Sequence, residues 1–335
     1  MNGPSPRYQK TIPLFIVFFT ALACSAFSSE DFNTIYQKAI GGEPEAQFNL
    51  GIAYDQGKGI LRGKEEAVKW YRKSAEQGHA GAQYNLGIAY EQGKGVRPDN
   101  REAVNWYRKA AEQGHAGAQY NLGIAHDREK GVQQDNREAV HWDRKATEQG
   151  EAGAQYNLGV PYSKGEGVRR DTREAVNWDR KATGQEDADA RYNLGVAYSK
   201  GEGVRRDHAE AVWWFRKAAE QGNVDAQYML GRAYADGQGV EQDYTEAVNW
   251  YRKAAEQGEP NAQYNLGVAY HNGQGVPRDY SLSYVWLSLS ASKSRSANHD
   301  LSVKLSEEAT GKMTPDQLMK AQQITRDWEE KHPRK

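Results

Sequence analysis

The sequence predicts an all-α fold, an α/α solenoid of seven stacked helix pairs with helical caps, and three observations lead there. From Ala46 the chain copies itself every 36 residues without insertion or deletion, the copies starting at Ala46, Ala82, Ala118, Ala154, Ala190, Ala226 and Ala262. A period of that size marks a solenoid, a propeller or an array. The copies are rich in Ala, Glu, Arg, Lys and Gln rather than the β-branched residues of a propeller blade, so they read as helices. Apolar residues make up only 38% of the 335, while Gly numbers 34 and Tyr 20. That is lean for one large interior but sufficient for a two-layer array in which each unit buries a narrow seam.

Each unit reads as two helices, A and B. In the second unit (82–117), Ala82, Leu86, Ala89 and Tyr90 fall at i, i+4, i+7 and i+8, one apolar face. Gly87 interrupts this helix and recurs in every unit, at 51, 123, 159, 195, 231 and 267. Glycine in mid-helix costs ~1 kcal/mol relative to Ala, so its recurrence points to a close approach by helix B. Gly93 and Gly95 supply the positive φ that ends helix A. Helix B opens on Asp99-x-x-Glu102, repeated at 135/138, 171/174, 207/210 and 243/246. This pattern predicts an N-cap Asp with a Glu reaching back to it. Ala103, Trp106, Tyr107 and Ala110 form the buried stripe of helix B, and Trp returns at 70, 142, 178, 214, 250 and 286. Such a stripe is core rather than a cofactor box.

The flanks differ from the copies. Arg7 and Lys10 precede the apolar run Ile12 to Cys24, followed by small residues and then Glu30 and Asp31. That is the layout of a secretory signal over residues 1–26, with cleavage near 23–28. The run of about 13 residues is short of the ~20 that a spanning helix needs, so no integral membrane span is expected in the mature chain. Lipid anchoring at Cys24, within a loose lipoprotein box, is the weaker reading. The expected location is therefore periplasmic or secreted. Residues 27–45 read as an N-terminal capping helix, 46–292 as the seven repeats, and 293–335 as C-terminal capping helices. In the last segment Thr314-Pro315-Asp316-Gln317 opens a helix with a capping box.

The motif Leu-Gly-x-x-Tyr, then Gly-x-Gly-Val, then Asp-x-x-x-Ala-x-x-Trp-Tyr-x-Lys-Ala-Ala resembles the Sel-one-like repeat, a relative of the tetratricopeptide repeat. The resemblance covers residues 46 to about 292 in seven copies. It implies a right-handed superhelix and a scaffold or adaptor role, such as envelope complex assembly or host-cell interaction in bacteria. Some members of the family bind or process β-lactams with paired cysteines stapling each repeat. This chain has a single cysteine, Cys24, so those properties do not carry over.

No catalytic set emerges. Gly93-Lys94-Gly95 invites a phosphate-loop reading, but five residues rather than four separate Gly87 from Gly93, and the segment ends a helix instead of opening one. The eight histidines lack ligand spacing; His79 and His115, in equivalent places, are expected in exposed inter-repeat turns. The regular acids are committed to capping helix B. The chain thus reads as non-enzymatic, without cofactor or metal. Lys plus Arg (44) balances Asp plus Glu (45), so nucleic acid is not an implied partner.

A protein or peptide partner is expected instead, on the concave wall lined by helix A. Position 3 of each unit, opposite the core face, is aromatic throughout: Phe48, Tyr84, Tyr120, Tyr156, Tyr192, Tyr228 and Tyr264. Position 7 is Ile52, Ile88, Ile124, Val160, Val196, Arg232 and Val268. This strip is the candidate partner-binding surface; packing of the position-3 rings against the next helix A is the competing reading, and recognition of glycan or peptidoglycan the alternative function. Units three and four break the pattern: Glu129 replaces a capping Gly, His126 a core Tyr, Asp143 and Asp179 the second aromatic of helix B, and Pro161 enters helix A. Residues 126–189 read either as a softer hinge between two stiffer arms or as simple drift in redundant repeats, the second reading being favoured.

Overall fold

The structure is a computed structural model that describes residues 29–293 and 298–332. The expected leader, its cleavage sites and Cys24 lie outside the described residues. Among those described there are seventeen α-helices and no strand. Helix A of successive repeats is α2 (Pro44–Gln56), α4 (Ala80–Gln92), α6 (Ala116–Asp127), α8 (Ala152–Lys164), α10 (Ala188–Lys200), α12 (Val224–Asp236) and α14 (Pro260–Asn272). Helix B is α3 (Lys64–Glu76), α5 (Asn100–Glu112), α7 (Asn136–Glu148), α9 (Thr172–Thr183), α11 (His208–Glu220), α13 (Tyr244–Glu256) and α15 (Tyr280–Lys293). Ahead of them stands α1 (Ser29–Ile40), and after them α16 (Asn298–Thr310) and α17 (Pro315–Lys331).

The chain divides into two compact units, up to Gln113 and from Gly114 onward. In each, helices pack on their neighbours in chain order: α1 to α5 in the first, α6 to α16 in the second. In the first, α1 covers α2 with Ala39, Phe32, Ile35 and Tyr36, standing where a preceding helix B would be. In the second, α17 lies over α15, burying Ala321 and resting Trp328 against Val285 and Leu289. Its N-terminus carries the expected capping box: Thr314 Oγ1 accepts from the Gln317 amide at 3.3 Å, and Gln317 Oε1 accepts from the Thr314 amide at 2.9 Å.

The core is as thin as the composition requires. One fully buried leucine per repeat (Leu50, 86, 122, 158, 194, 230 and 266) anchors helix A. Small alanines such as Ala82, Ala103 and Ala110 let the helices close on it. Gly87 is explained by a ring rather than by backbone. A Cβ there would stand 2.5 Å from Tyr107, and at Gly195 2.5 Å from Phe215, so the aromatic at position 26 lies flat across helix A.

Two capping expectations are corrected. Asp99, Asp135, Asp171, Asp207 and Asp243 do cap helix B, each accepting two first-turn amides. The following Glu, however, does not return to the cap; Glu138 and Glu210 accept from the indole N–H of Trp142 and Trp214 four residues on, at 3.2 and 3.0 Å. The indole N–H groups of Trp106 and Trp178 have no hydrogen-bond partner, so the contact is made in two of these repeats and not in all. Secondly, His79 and His115 are half-buried N-caps of helix A, their Nδ1 atoms accepting from the amides of Ala82 and Ala118 at 3.1 and 3.2 Å. Asp187, Asn223 and Glu259 do the same in later repeats. Helix A therefore begins two residues before the Ala that opens each copy.

The irregular units three and four keep their helices. α8 runs through Pro161 to the same thirteen-residue length as α10. Strain appears instead at Glu129 and Glu186, the two non-glycine residues with positive φ (55° and 63°) among those described. Glu186 takes the place that glycine holds at Gly78, Gly114 and Gly222. An L-residue there costs about 1–2 kcal/mol. Glu129→Gly and Glu186→Gly are each expected to raise thermal stability, by about 1 kcal/mol after the larger unfolded-state entropy of glycine is allowed for. Unchanged melting in both would contradict the strain.

Candidate functional site

The candidate surface is the face of helix A turned from its buried leucine. The position-3 rings are half-buried in every repeat, and they lean on the position-26 residue of their own helix B. Phe48 meets Tyr71 at 6.1 Å and Tyr84 meets Tyr107 at 6.0 Å in the first unit. In the second, Tyr192 meets Phe215 at 5.9 Å and Tyr228 meets Tyr251 at 6.1 Å. Phe48 and Tyr120 also touch the glycine that starts the next helix A, Gly81 and Gly153. Burial pushes the hydroxyls of Tyr120 and Tyr192 up to about 12, with nearby carboxylates adding to the rise. Each ring therefore gives one edge to packing and leaves the other at the surface. The position-7 side chains Ile52, Ile88, Ile124, Val160, Val196 and Val268 are half-buried as well, whereas Arg232 is exposed.

Beneath this strip runs a set of joints between repeats that reading the sequence one unit at a time does not reveal. Position 26 reaches the residue at position 4 of the following unit. Asn193 Nδ2 donates to Asp179 Oδ1 at 3.4 Å, and Tyr71, Asp143 and Tyr251 face Asn85, Asn157 and Asn265 at the equivalent places. Where position 26 is Phe215 and has no polar atom, the partner is Met229, packed in the same apolar cluster. The two positions change together because an amide left facing a phenyl ring would lose its hydrogen bond. A second joint runs from Arg at position 27 to the Tyr hydroxyl eighteen residues on, as in Arg72–Tyr90, Arg144–Tyr162, Arg180–Tyr198 and Arg252–Tyr270. Within a repeat, a further link thirty residues long ties the glutamine at position 32 to the one at position 2: Gln77 to Gln47, Gln149 to Gln119 and Gln257 to Gln227 at 2.7–2.8 Å.

Two groups stand out electrostatically. Asp143 and Asp179 are 4% and 5% exposed and occupy the place of the flat ring, with Oδ1 against Gly123 and Gly159. Burial raises Asp179 to about 7 and Asp143 well above the usual carboxylate range, and Asp187 and Asp127 respectively add like-charge repulsion. Asp143 Oδ1 has no hydrogen-bond partner. No group of three His, Cys, Asp or Glu among the described residues could hold a metal ion, and none of their helices is long and apolar enough to cross a membrane.

Helix pairs in register, glycines beneath flat rings and side-chain joints reaching one repeat back define a tetratricopeptide-like α/α repeat solenoid. The Sel1 repeat model matches residues 44–79, 80–115, 116–151, 152–186, 188–223, 224–259 and 260–294, and the chain belongs to the Sel1 repeat family. Among solved structures, a Sel1 repeat protein from Oxalobacter formigenes is 35% identical over 82% of this chain and 80% of its own, with a TM-score of 0.67. The protein c5321, described as a protective antigen of uropathogenic Escherichia coli strains displaying an SLR fold, is 31% identical over 90% of this chain and 79% of its own, with a TM-score of 0.45. The chitin synthase regulator SKT5 of Saccharomyces cerevisiae is 47% identical over 47 residues. That stretch is 14% of this chain and only 7% of the regulator.

Proposed function

We propose that this protein is a non-enzymatic scaffold that is exported from the cytoplasm and holds a protein partner along the helix-A face. The observation that carries the reading is the strip itself: half-exposed aromatic and aliphatic side chains recur at the same two positions of helix A from repeat to repeat. An extended peptide can lie along such a surface without the protein itself paying much ordering entropy. The Sel1 repeat family, whose members commonly mediate protein–protein interaction, supports a protein partner. Export is supported by Arg7, Lys10 and the apolar run Ile12 to Cys24.

Because the position-3 rings also pack, truncating them would confuse folding with binding. Position 7 gives a cleaner test, since Arg232 already occupies it in the sixth repeat and pairs with Asp236 on the same helix. The variant Ile88→Arg with Val268→Arg is expected to melt like the parent and to lose the proteins that crosslink to the tagged parent in its native cells. An unchanged set of crosslinked proteins overturns the reading. So does a parent that retains purified cell-wall fragments and crosslinks to no protein, which would assign the strip to glycan.

A further inference from the structure

Residues 163–171 and 199–207 have the same nine-residue sequence, Ser-Lys-Gly-Glu-Gly-Val-Arg-Arg-Asp. Each forms the end of helix A and the turn into helix B, in consecutive repeats of the second unit. The structure brings the two turns together: a Cβ on Gly203 would stand 2.5 Å from the Thr172 carbonyl carbon and 2.9 Å from the Arg173 amide nitrogen. Lys164, Arg169, Arg170, Lys200, Arg205 and Arg206 therefore form one block, and all six are exposed. None is in an ion pair. Arg170 alone uses a side-chain nitrogen internally, donating from Nε to the Ser163 carbonyl at 3.0 Å. The block is bounded, for the turn of the next repeat carries Asp236 and Glu241 instead. A chain with 44 basic and 45 acidic residues thus concentrates unpaired positive charge on one edge.

We propose that this edge docks an extended acidic segment of a protein partner. Arginine forks pair bidentately with carboxylates. Glu166 and Glu202 interrupt the cations, which disfavours a continuous phosphate track and suits a chain whose charges are spaced. The nearest rings offer no stacking platform for bases, since the hydroxyls of Tyr162 and Tyr198 are held by Arg144 and Arg180. Stacked helices lie about 8–10 Å apart, and an extended peptide advances about 3.3 Å per residue. The matching segment therefore carries an acid at about every third residue. The proposal does not rest on the helix-A strip.

The probe is a fluorescent twelve-residue peptide with Glu at every third position, titrated with the full chain. Binding is expected at low salt, weakening about tenfold between roughly 50 and 300 mM salt. The variant Lys164→Gln, Arg169→Gln, Lys200→Gln, Arg205→Gln spares the Arg170 contact and is expected to bind at least about tenfold more weakly at unchanged melting temperature. Ile88→Arg with Val268→Arg is expected to keep full affinity, so failure at this edge and failure at the strip are told apart. Binding of the quadruple variant within about twofold of the parent overturns the proposal. So does a preference of the parent for single-stranded DNA or a sulfated oligosaccharide of equal charge.

Discussion

At pH 8, replacing Asp143 and Asp179 together with Asn raises the unfolding temperature, and below pH 4 the same variant melts like the parent. The folded-state pKa of both carboxyls lies above the ordinary value of 3.8, that of Asp179 at about 7, so in the window above 3.8 the folded chain holds protons that the unfolded chain has released. Stability consequently falls as pH rises through this window, is at its full value below it, and is flat above it. With Asp179 raised from 3.8 to about 7, the penalty once that carboxyl is ionised is at most on the order of 4 kcal/mol, because relaxation and water entry reduce it. Asn keeps the shape and removes the charge. Calorimetric scans at the two pH values read the difference, and a gain of equal size at both would deny that burial of charge is its cause. Asp143→Tyr with Asp179→Tyr should add a further increment at every pH. It restores the ring that Tyr71, Tyr107 and Tyr251 place over the facing glycine, with Asn157 and Asn193 already set to receive the hydroxyl. Hydrogen exchange is expected to show residues 126–189 less protected than the repeats after them at pH 8, and the contrast to shrink as pH falls.

Gly239→Ala is expected to be among the most damaging single methyls in the second unit. Gly239 has a φ of 78°, and a Cβ there would fall on the His208 carbonyl of the preceding repeat and 2.8 Å from the Ala209 amide nitrogen. The left-handed conformation costs Ala about 1–2 kcal/mol and the collision about 1–3 kcal/mol more. Gly222→Ala is the control, since φ is 87° and nothing lies within 4 Å of the added carbon. Urea unfolding should show Gly239→Ala clearly worse than Gly222→Ala. Equal losses would mean that only backbone strain matters and that the turns do not bear on each other.

The repeat, its helical nature and the identity of the buried seam were legible because each depends on local periodicity. Leu86 and its six counterparts, the Asp caps of helix B and the Thr314 capping box follow from spacing alone. The His79 cap was not legible, because His is a rare N-cap; comparing position 34 across the copies, His, His, Glu, Asp, Asn and Glu, would have exposed a run of acceptors. Glu138 and Glu210 misled because a capping box and a Glu-to-Trp contact need the same residue at the same place. The joint between positions 26 and 4 hid for a different reason: its halves lie fourteen residues apart in different copies, and only the paired change to Phe215 and Met229 betrays it. The position-3 aromatics show the limit most plainly. Helical projection assigned them a face but could not weigh how much of each ring the position-26 side chain covers.

The joints of fourteen and eighteen residues have a bearing on how such a chain can change length. Each repeat carries the giving half of a link on one side and the accepting half on the other, as a hook and an eye. A copying slip that adds or removes thirty-six residues therefore sets a hook beside an eye, and the new seam is as sound as the old. A slip of any other length strands both halves. Reach can thus be lengthened or shortened by heredity in steps of one rung, with no redesign of what holds the ladder together.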